Sequence, residues 1–137
     1  MEVKTHRRVL LGAVVVAAVS AGVGSQALAA SSVKVTLSEF KVAPSPKSAS
    51  AGKVTFSVKN SGDDEHELVV IKTSSAANKL KVSNGRASEK GEVAEVEDIA
   101  PGKTKKLTAT LKKGHYVLIC NLPGHYAGGM RSDFTVK

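Results

Sequence analysis

The stretch from Cys120 to Met130, CNLPGHYAGGM, places a thiol, an imidazole and a thioether within eleven residues, directly after a strong β-strand pattern. It restricts the chain to folds that bring a strand end, a tight loop and one further donor to a single point. The strand His115 to Ile119 delivers Cys120 to a sheet end, and Pro123-Gly124 is turn chemistry that folds the chain back so that His125 faces the same point. Gly128-Gly129 then allows a second bend that returns Met130. The donor types select the metal. A thiolate and a thioether with imidazole favour copper, and two His, one Cys and a weak Met describe a trigonal electron-transfer site.

One ligand is missing from the loop, and beyond residue 30 only His66 and His115 remain to supply it. His66 is favoured by position: Asn60-Ser61-Gly62 closes one strand, an acidic turn follows, and His66 opens the apolar run Leu68 to Ile71. A residue at a strand mouth can face a loop from another strand. His115 lies inside the hairpin after Lys112-Lys113-Gly114 and reads as a solvated or half-buried imidazole. The single cysteine supports the metal reading independently, because in an exported chain it has no intramolecular partner and is open to oxidation unless ligated. Met130 is the only methionine after residue 30, so core filling by Met is not a habit of this sequence.

Alternation with a period of two, rather than 3.6, dominates the remainder. Val33, Val35 and Leu37 alternate with Lys34 and Thr36. Phe40 and Val42 continue that strand or start another, and Pro44-Ser45-Pro46 ends it, because proline removes a ladder donor. Val54, Phe56 and Val58 form the next inward face. Then come His66 to Thr73, Val96 to Ile99 with a turn at Pro101-Gly102, Thr104 to Leu111, His115 to Cys120 and Asp133 to Val136. Seven to eight short strands separated by Gly and Pro predict an all-β chain folded as a Greek-key β-sandwich. Between Thr73 and Val93 the alternation fails. Ser74-Ser75 as caps, Ala76 to Leu80 as one or two helical turns and Asn84-Gly85 as a turn predict an irregular or short-helical excursion near residues 74–92, read as a peripheral flap.

Residues 1–30 read as a secretory signal peptide, since Lys4, Arg7 and Arg8 precede an apolar run from Val9 to Val23 and Ala27-Leu28-Ala29 offers a small-x-small cleavage site. The run falls short of the roughly 20 apolar residues of a spanning helix, which argues against an uncleaved anchor, and no stable membrane insertion is expected after cleavage. Arg7-Arg8 before Val9-Leu10-Leu11 has some likeness to a twin-arginine signal. The expected destination is a periplasm or the cell exterior. Residues 31–137 are then one domain, long enough to bury about two-thirds of the surface its unfolded chain exposes. Removing Lys4, Arg7, Arg8 and Glu2 leaves 17 basic residues against 11 acidic ones, a net charge of +6. The lysines are scattered and alternate with apolar residues along strands, and three Phe and two Tyr supply no stacking platform, so nucleic acid is not an expected partner. An acidic redox protein fits the charge.

His66 with Cys120-x4-His125-x4-Met130 resembles the type 1 blue copper proteins, the cupredoxins, with a loop spacing most like that of auracyanin and rusticyanin. The resemblance covers Val33 to Lys137, including the strand Val54 to Asn60 and the terminal strand after Met130. It implies a β-sandwich that carries single electrons through one bound copper ion, with His66, Cys120, His125 and Met130 as ligands. It also implies a monomer that exchanges electrons with a donor and an acceptor through the exposed edge of His125, rimmed here by Leu122, Pro123 and Tyr126. In many family members an Asn follows the first His and fastens the ligand loops together; Glu67 takes that place here. Asn121 either supplies a loop-to-loop hydrogen bond instead or faces solvent.

Rival readings follow from the same residues. The donor set also suits a copper donor or chaperone that hands Cu(I) to an oxidase or efflux system, although donors present more exposed, Met- or His-rich ligands. An enzyme with Cys120 as nucleophile and His125 as base leaves Met130 idle, and three histidines beyond residue 30 cannot furnish further copper centres. Structural zinc makes poor use of a thioether.

Overall fold

The computed structural model describes Gly22 and residues 29–137. The expected signal peptide lies outside the described residues apart from Gly22, Ala29 and Ala30. No helix among the described residues is long and apolar enough to cross a membrane.

Eight strands of five residues or more carry the fold: β1 Ser31–Ser38, β2 Lys41–Ser45, β4 Gly52–Asn60, β5 His66–Lys72, β8 Glu92–Ile99, β9 Thr104–Leu111, β10 Gly114–Ile119 and β11 Arg131–Val136. Three two-residue strands, β3 Ser48–Ala49, β6 Val82–Ser83 and β7 Arg86–Ala87, fill in between them. One sheet has the order β2-β1-β4-β9 and the other β3-β11-β10-β5-β8, with β6 and β7 forming a small separate ribbon. The expected all-β sandwich is therefore what the chain forms. Pro44 lies within β2 rather than ending it, which is permitted because β2 is an edge strand whose outer side needs no donor.

Alternation builds the interior. Val33, Val35 and Leu37 of β1 and Val54, Phe56 and Val58 of β4 meet Leu68 and Val70 of β5 and Tyr116 and Leu118 of β10 in one core, with Phe56 and Phe134 edge to face at 5.6 Å. Phe40 is not part of this face. It stands at the β1–β2 turn and is 50% exposed.

The excursion is more than the peripheral flap expected of it. Six consecutive residues of β5, His66 to Ile71, are buried, so this strand is covered on both faces. The odd-numbered Val69 and Ile71 of β5 and Val117 and Ile119 of β10 point away from the main core. They are covered by Ala77 of a 3-10 turn (Ala77–Lys79), Leu80, Ala87 of β7, and Tyr126. Leaving four β-branched side chains in water would cost about 1.5–3 kcal/mol each, so the cover belongs to the folded state. The near-continuous apolar runs Leu68–Ile71 and Val117–Ile119 carry this two-sided burial in the sequence, since a half-exposed strand would alternate.

Tyr126 ties the cover to the rest. Its hydroxyl donates to the Ala77 carbonyl at 2.6 Å and accepts the Leu80 N–H at 3.0 Å. Tyr126→Phe leaves both backbone groups unpaired and is expected to destabilise the protein by about 1–3 kcal/mol, read from the denaturation midpoint; an unchanged midpoint would show that the cover is held without it.

Candidate metal centre

The antiparallel register of β5 with β10 pairs Ile119 with Val69 and Leu118 with Val70. Continued one step, it sets Cys120 across from Leu68, and one step further it sets Asn121 across from Glu67. Side chains alternate between faces along a strand, so Cys120 and His66 share the inner face while Glu67 and Asn121 share the outer one. The loop then closes on itself. The Cys120 N–H donates to the Met130 carbonyl at 3.1 Å and the Met130 N–H to the His125 carbonyl at 3.0 Å. Between them His125–Gly128 forms a single helical turn, α1, where the sequence suggested only bends. Gly129, at φ 126°, completes the second bend; a Cβ there would lie 2.9 Å from the Phe40 carbonyl oxygen.

Three donor atoms converge. Cys120 Sγ lies 3.5 Å from His125 Nδ1 and 3.8 Å from His66 Nδ1, and the two Nδ1 atoms are 3.3 Å apart. The Glu67 N–H points at the sulfur from 3.5 Å. Cys120, His66 and Met130 are fully buried, and Met130 packs in the same cluster as Cys120. His115, the other candidate, is spent elsewhere: its Nδ1 meets the Thr73 carbonyl at 2.7 Å and its Nε2 meets Asp133 at 2.9 Å.

Burial pushes the Cys120 thiol above its ordinary pKa, against the pull of the Glu67 and Leu122 amides. Burial, with His66 nearby, pulls His125 below its ordinary value and keeps the ring neutral and able to accept. Two imidazole nitrogens and a thiol aimed at one buried point fit a soft, imidazole-binding cation, and the set fits copper.

The expected second layer is filled in with more partners than the sequence names. Glu67, 4% exposed, accepts the Asn121 N–H at 3.1 Å, so it fastens the two ligand segments in the way an Asn was expected to. Asn121 is 1% exposed and does not face solvent. Its amide accepts from Ala87 N–H at 2.7 Å and donates to the Ala87 carbonyl at 2.9 Å and to Glu89 at 2.7 Å. Arg86 donates to the Asn121 carbonyl at 3.0 Å. The excursion is thus bonded to the residue following Cys120.

The expected rim is only partly on the surface. Pro123 is exposed, and His125 and Leu122 are half-buried, Leu122 packing against the main core. Tyr126 is 3% exposed and turned inward, because its ring and hydroxyl belong to the cover of the outer face. Two residues by the site escaped the sequence reading. Phe40 meets the His125 ring edge to face at 5.8 Å, and Glu39 meets His66 Nε2 at 2.7 Å. The Glu39 carboxyl lies far below the ordinary range, at about 2, chiefly through the Asp64 and Asp63 amides. Neither residue stands in any spacing relation to the ligands that a sequence scan would detect.

The family model of the cupredoxin-like domain matches residues 9–130. Auracyanin from Roseiflexus castenholzii is similar in structure, with a TM-score of 0.60 and 24% identity over 78% of this chain and 97% of that one. Rusticyanin from Thiobacillus ferrooxidans has a TM-score of 0.59 and 18% identity over 77% of each chain. The iron uptake system component EfeO of Yersinia pseudotuberculosis is 29% identical over 122 residues, covering 89% of this chain. This chain spans 28% of the length of that protein.

Behind Glu67 the outer face carries Glu95 and Glu97, with carboxylate oxygens of all three within 4.8 Å of one another. Desolvation, then the charges of Glu67 and Glu97, raise the Glu95 carboxyl from 4.5 to about 7. A carboxyl whose folded value is raised contributes stability that is complete below pH 4.5 and is lost as the pH climbs through about 7. The metal-free protein is therefore expected to lose stability across that window, and Glu95→Gln to flatten the loss. Denaturation midpoints compared at pH 4 and pH 8 check this, and parallel curves for the two proteins would contradict it.

Proposed function

Because this chain belongs to the cupredoxin-like domain family and brings His66, Cys120 and His125 to one buried point, we propose that it is an exported, monomeric one-electron carrier of the type 1 copper class rather than an enzyme. His66 Nδ1, Cys120 Sγ and His125 Nδ1 would hold the ion, with Met130 as the fourth and weaker donor. Copper held by such a set supplies a centre that alternates between Cu(I) and Cu(II) with little change of preferred geometry. The single observation that carries the reading is the convergence of two ring nitrogens on a fully buried cysteine sulfur.

The chain's own residues account for the rest. Glu67 and Asn121 lock the two ligand segments together from the outer face, so the donors have little freedom to rearrange as charge comes and goes. The Glu67 N–H steadies charge on the sulfur. The inner core below excludes water. Half-buried His125, with Phe40 and Pro123 exposed beside it, offers an apolar edge where a redox protein, donor or acceptor, would meet the site.

A copper donor remains the second reading of the same residues, but fully buried Cys120, His66 and Met130 favour a resident ion over one handed on. EfeO, whose name ties it to iron uptake, extends well beyond the matched region. The basic residues Lys4, Arg7 and Arg8 ahead of the apolar run Val9 to Val23 support export.

Adding Cu(II) to the mature protein is expected to give an intense visible thiolate-to-copper band and a narrow EPR hyperfine splitting, both abolished by Cys120→Ser. A protein that stays colourless under oxidising conditions would overturn the reading, and copper transfer to an apo acceptor faster than redox cycling would favour the donor. Phe40→Glu is expected to keep the band while slowing electron self-exchange at least about tenfold, since two negative charges would meet at the contact. An unchanged rate would remove Phe40 from the docking edge.

A further inference from the structure

The β1–β2 turn hangs over the segment that leads into His66, and Glu39 at its tip collects three donors. The Asp63 N–H reaches its Oε2 at 3.0 Å, the Asp64 N–H its Oε1 at 3.0 Å, and His66 Nε2 the same Oε1 at 2.7 Å. The receiving segment is shaped to fit. Asn60 accepts the Gly62 N–H at 2.8 Å and donates to the Asp64 carbonyl at 2.7 Å, curling residues 60–64 around the carboxylate. Gly62 has no side chain where a Cβ would overlap that carboxylate.

A carboxylate has acceptors only, so the shared proton sits on His66 Nε2 and the lone pair falls on Nδ1, the atom that faces Cys120 and His125. A charge-assisted bond of this kind also draws the N–H proton outward and enriches the ring in electron density, which makes Nδ1 a stronger donor. A stronger donor with a negative charge one ring away stabilises the more highly charged metal state over the lower one. His66 is fully buried and the Glu39 side chain only one-quarter exposed, so water screens this charge incompletely.

We propose that Glu39 is a positioning residue of the copper site that fixes the His66 tautomer and, through that ring, lowers the reduction potential. The claim on potential rests on the copper reading above; the claim on the tautomer does not.

Glu39→Gln keeps the size and one acceptor oxygen but removes the charge. It is expected to weaken Cu(II) binding about tenfold while leaving Cu(I) binding nearly unchanged, a loss typical of outer partners of ligating His. For a one-electron couple that ratio is a rise of about 59 mV. Gly62→Ala, which displaces the carboxylate without touching residue 39, is expected to raise the potential in the same direction. In the metal-free wild type, nitrogen NMR is expected to report His66 with its proton on Nε2, and Glu39→Ala to mix the two tautomers. Potentials unchanged in both Glu39→Gln and Gly62→Ala would overturn the tuning role, as would a wild-type His66 protonated on Nδ1. A wild type that forms no thiolate-to-copper band overturns the copper reading and the claim on potential together, whereas the tautomer in metal-free protein still upholds or overturns the clamp.

Discussion

The pairing of β5 with β10 is the constraint on which the rest of the molecule depends. These two strands lie side by side near the middle of one sheet, buried on both faces, and their register decides which residues share a side. A slip of one residue would turn His66 outward and Glu67 inward, exchange the two apolar sets, and separate His66 from Cys120. The register is held by packing on two sides at once. Leu68, Val70 and Leu118 are committed to the main core, and Val69, Ile71, Val117 and Ile119 to the covered outer face.

Two-sided burial gives the excursion its meaning. It fills the space over the outer face, where Ala77, Leu80, Ala87 and Tyr126 close a second apolar layer, and it also supplies the hydrogen-bond partners of Asn121. The same sheet therefore has a donor-bearing face and a face of polar fastenings directly behind it. Glu67 links them: its N–H is turned to the Cys120 sulfur, and its carboxylate to the Asn121 amide. A Glu at this position costs more than an Asn would, because burial raises its carboxyl pKa, and Glu95 and Glu97 gather on the same side. The outer layer is thus electrostatically strained where it supports the site.

On the opposite flank the β1–β2 turn contributes Glu39 and Phe40, one on His66 and the other on His125. The two rings are thereby braced from outside, by a carboxylate and by an aromatic edge. The loop itself braces Met130 through the backbone hydrogen bonds that join it to Cys120 and His125. The β1–β2 turn, the start of β5 and the Cys120–Met130 loop, far apart in sequence, meet around the site, which is what a sandwich with its loops at one end provides.

Much of this was legible in the chain. Period-two alternation and Gly and Pro breaks are local properties, so the strands, the sandwich and the Cys120–Met130 loop followed from the amino acids themselves, as did the preference for His66 as the first residue of an apolar strand. What local pattern does not carry is contact across sequence distance. The excursion looked peripheral because its own sequence is irregular; the apolar runs Leu68–Ile71 and Val117–Ile119 signal a second buried face but not which segment covers it. Tyr126 looked like a rim residue because it neighbours His125, yet one turn of helix points it inward. Glu39 and Phe40 gave no signal at all, since their roles arise from a turn laid over the site by the pairing of β1 with β2 and β4. Residue type and spacing determined which donors this protein owns and which strands it forms; tertiary packing decided which charges and rings stand behind those donors, because such neighbours are chosen by the path of the whole chain and not by any segment of it.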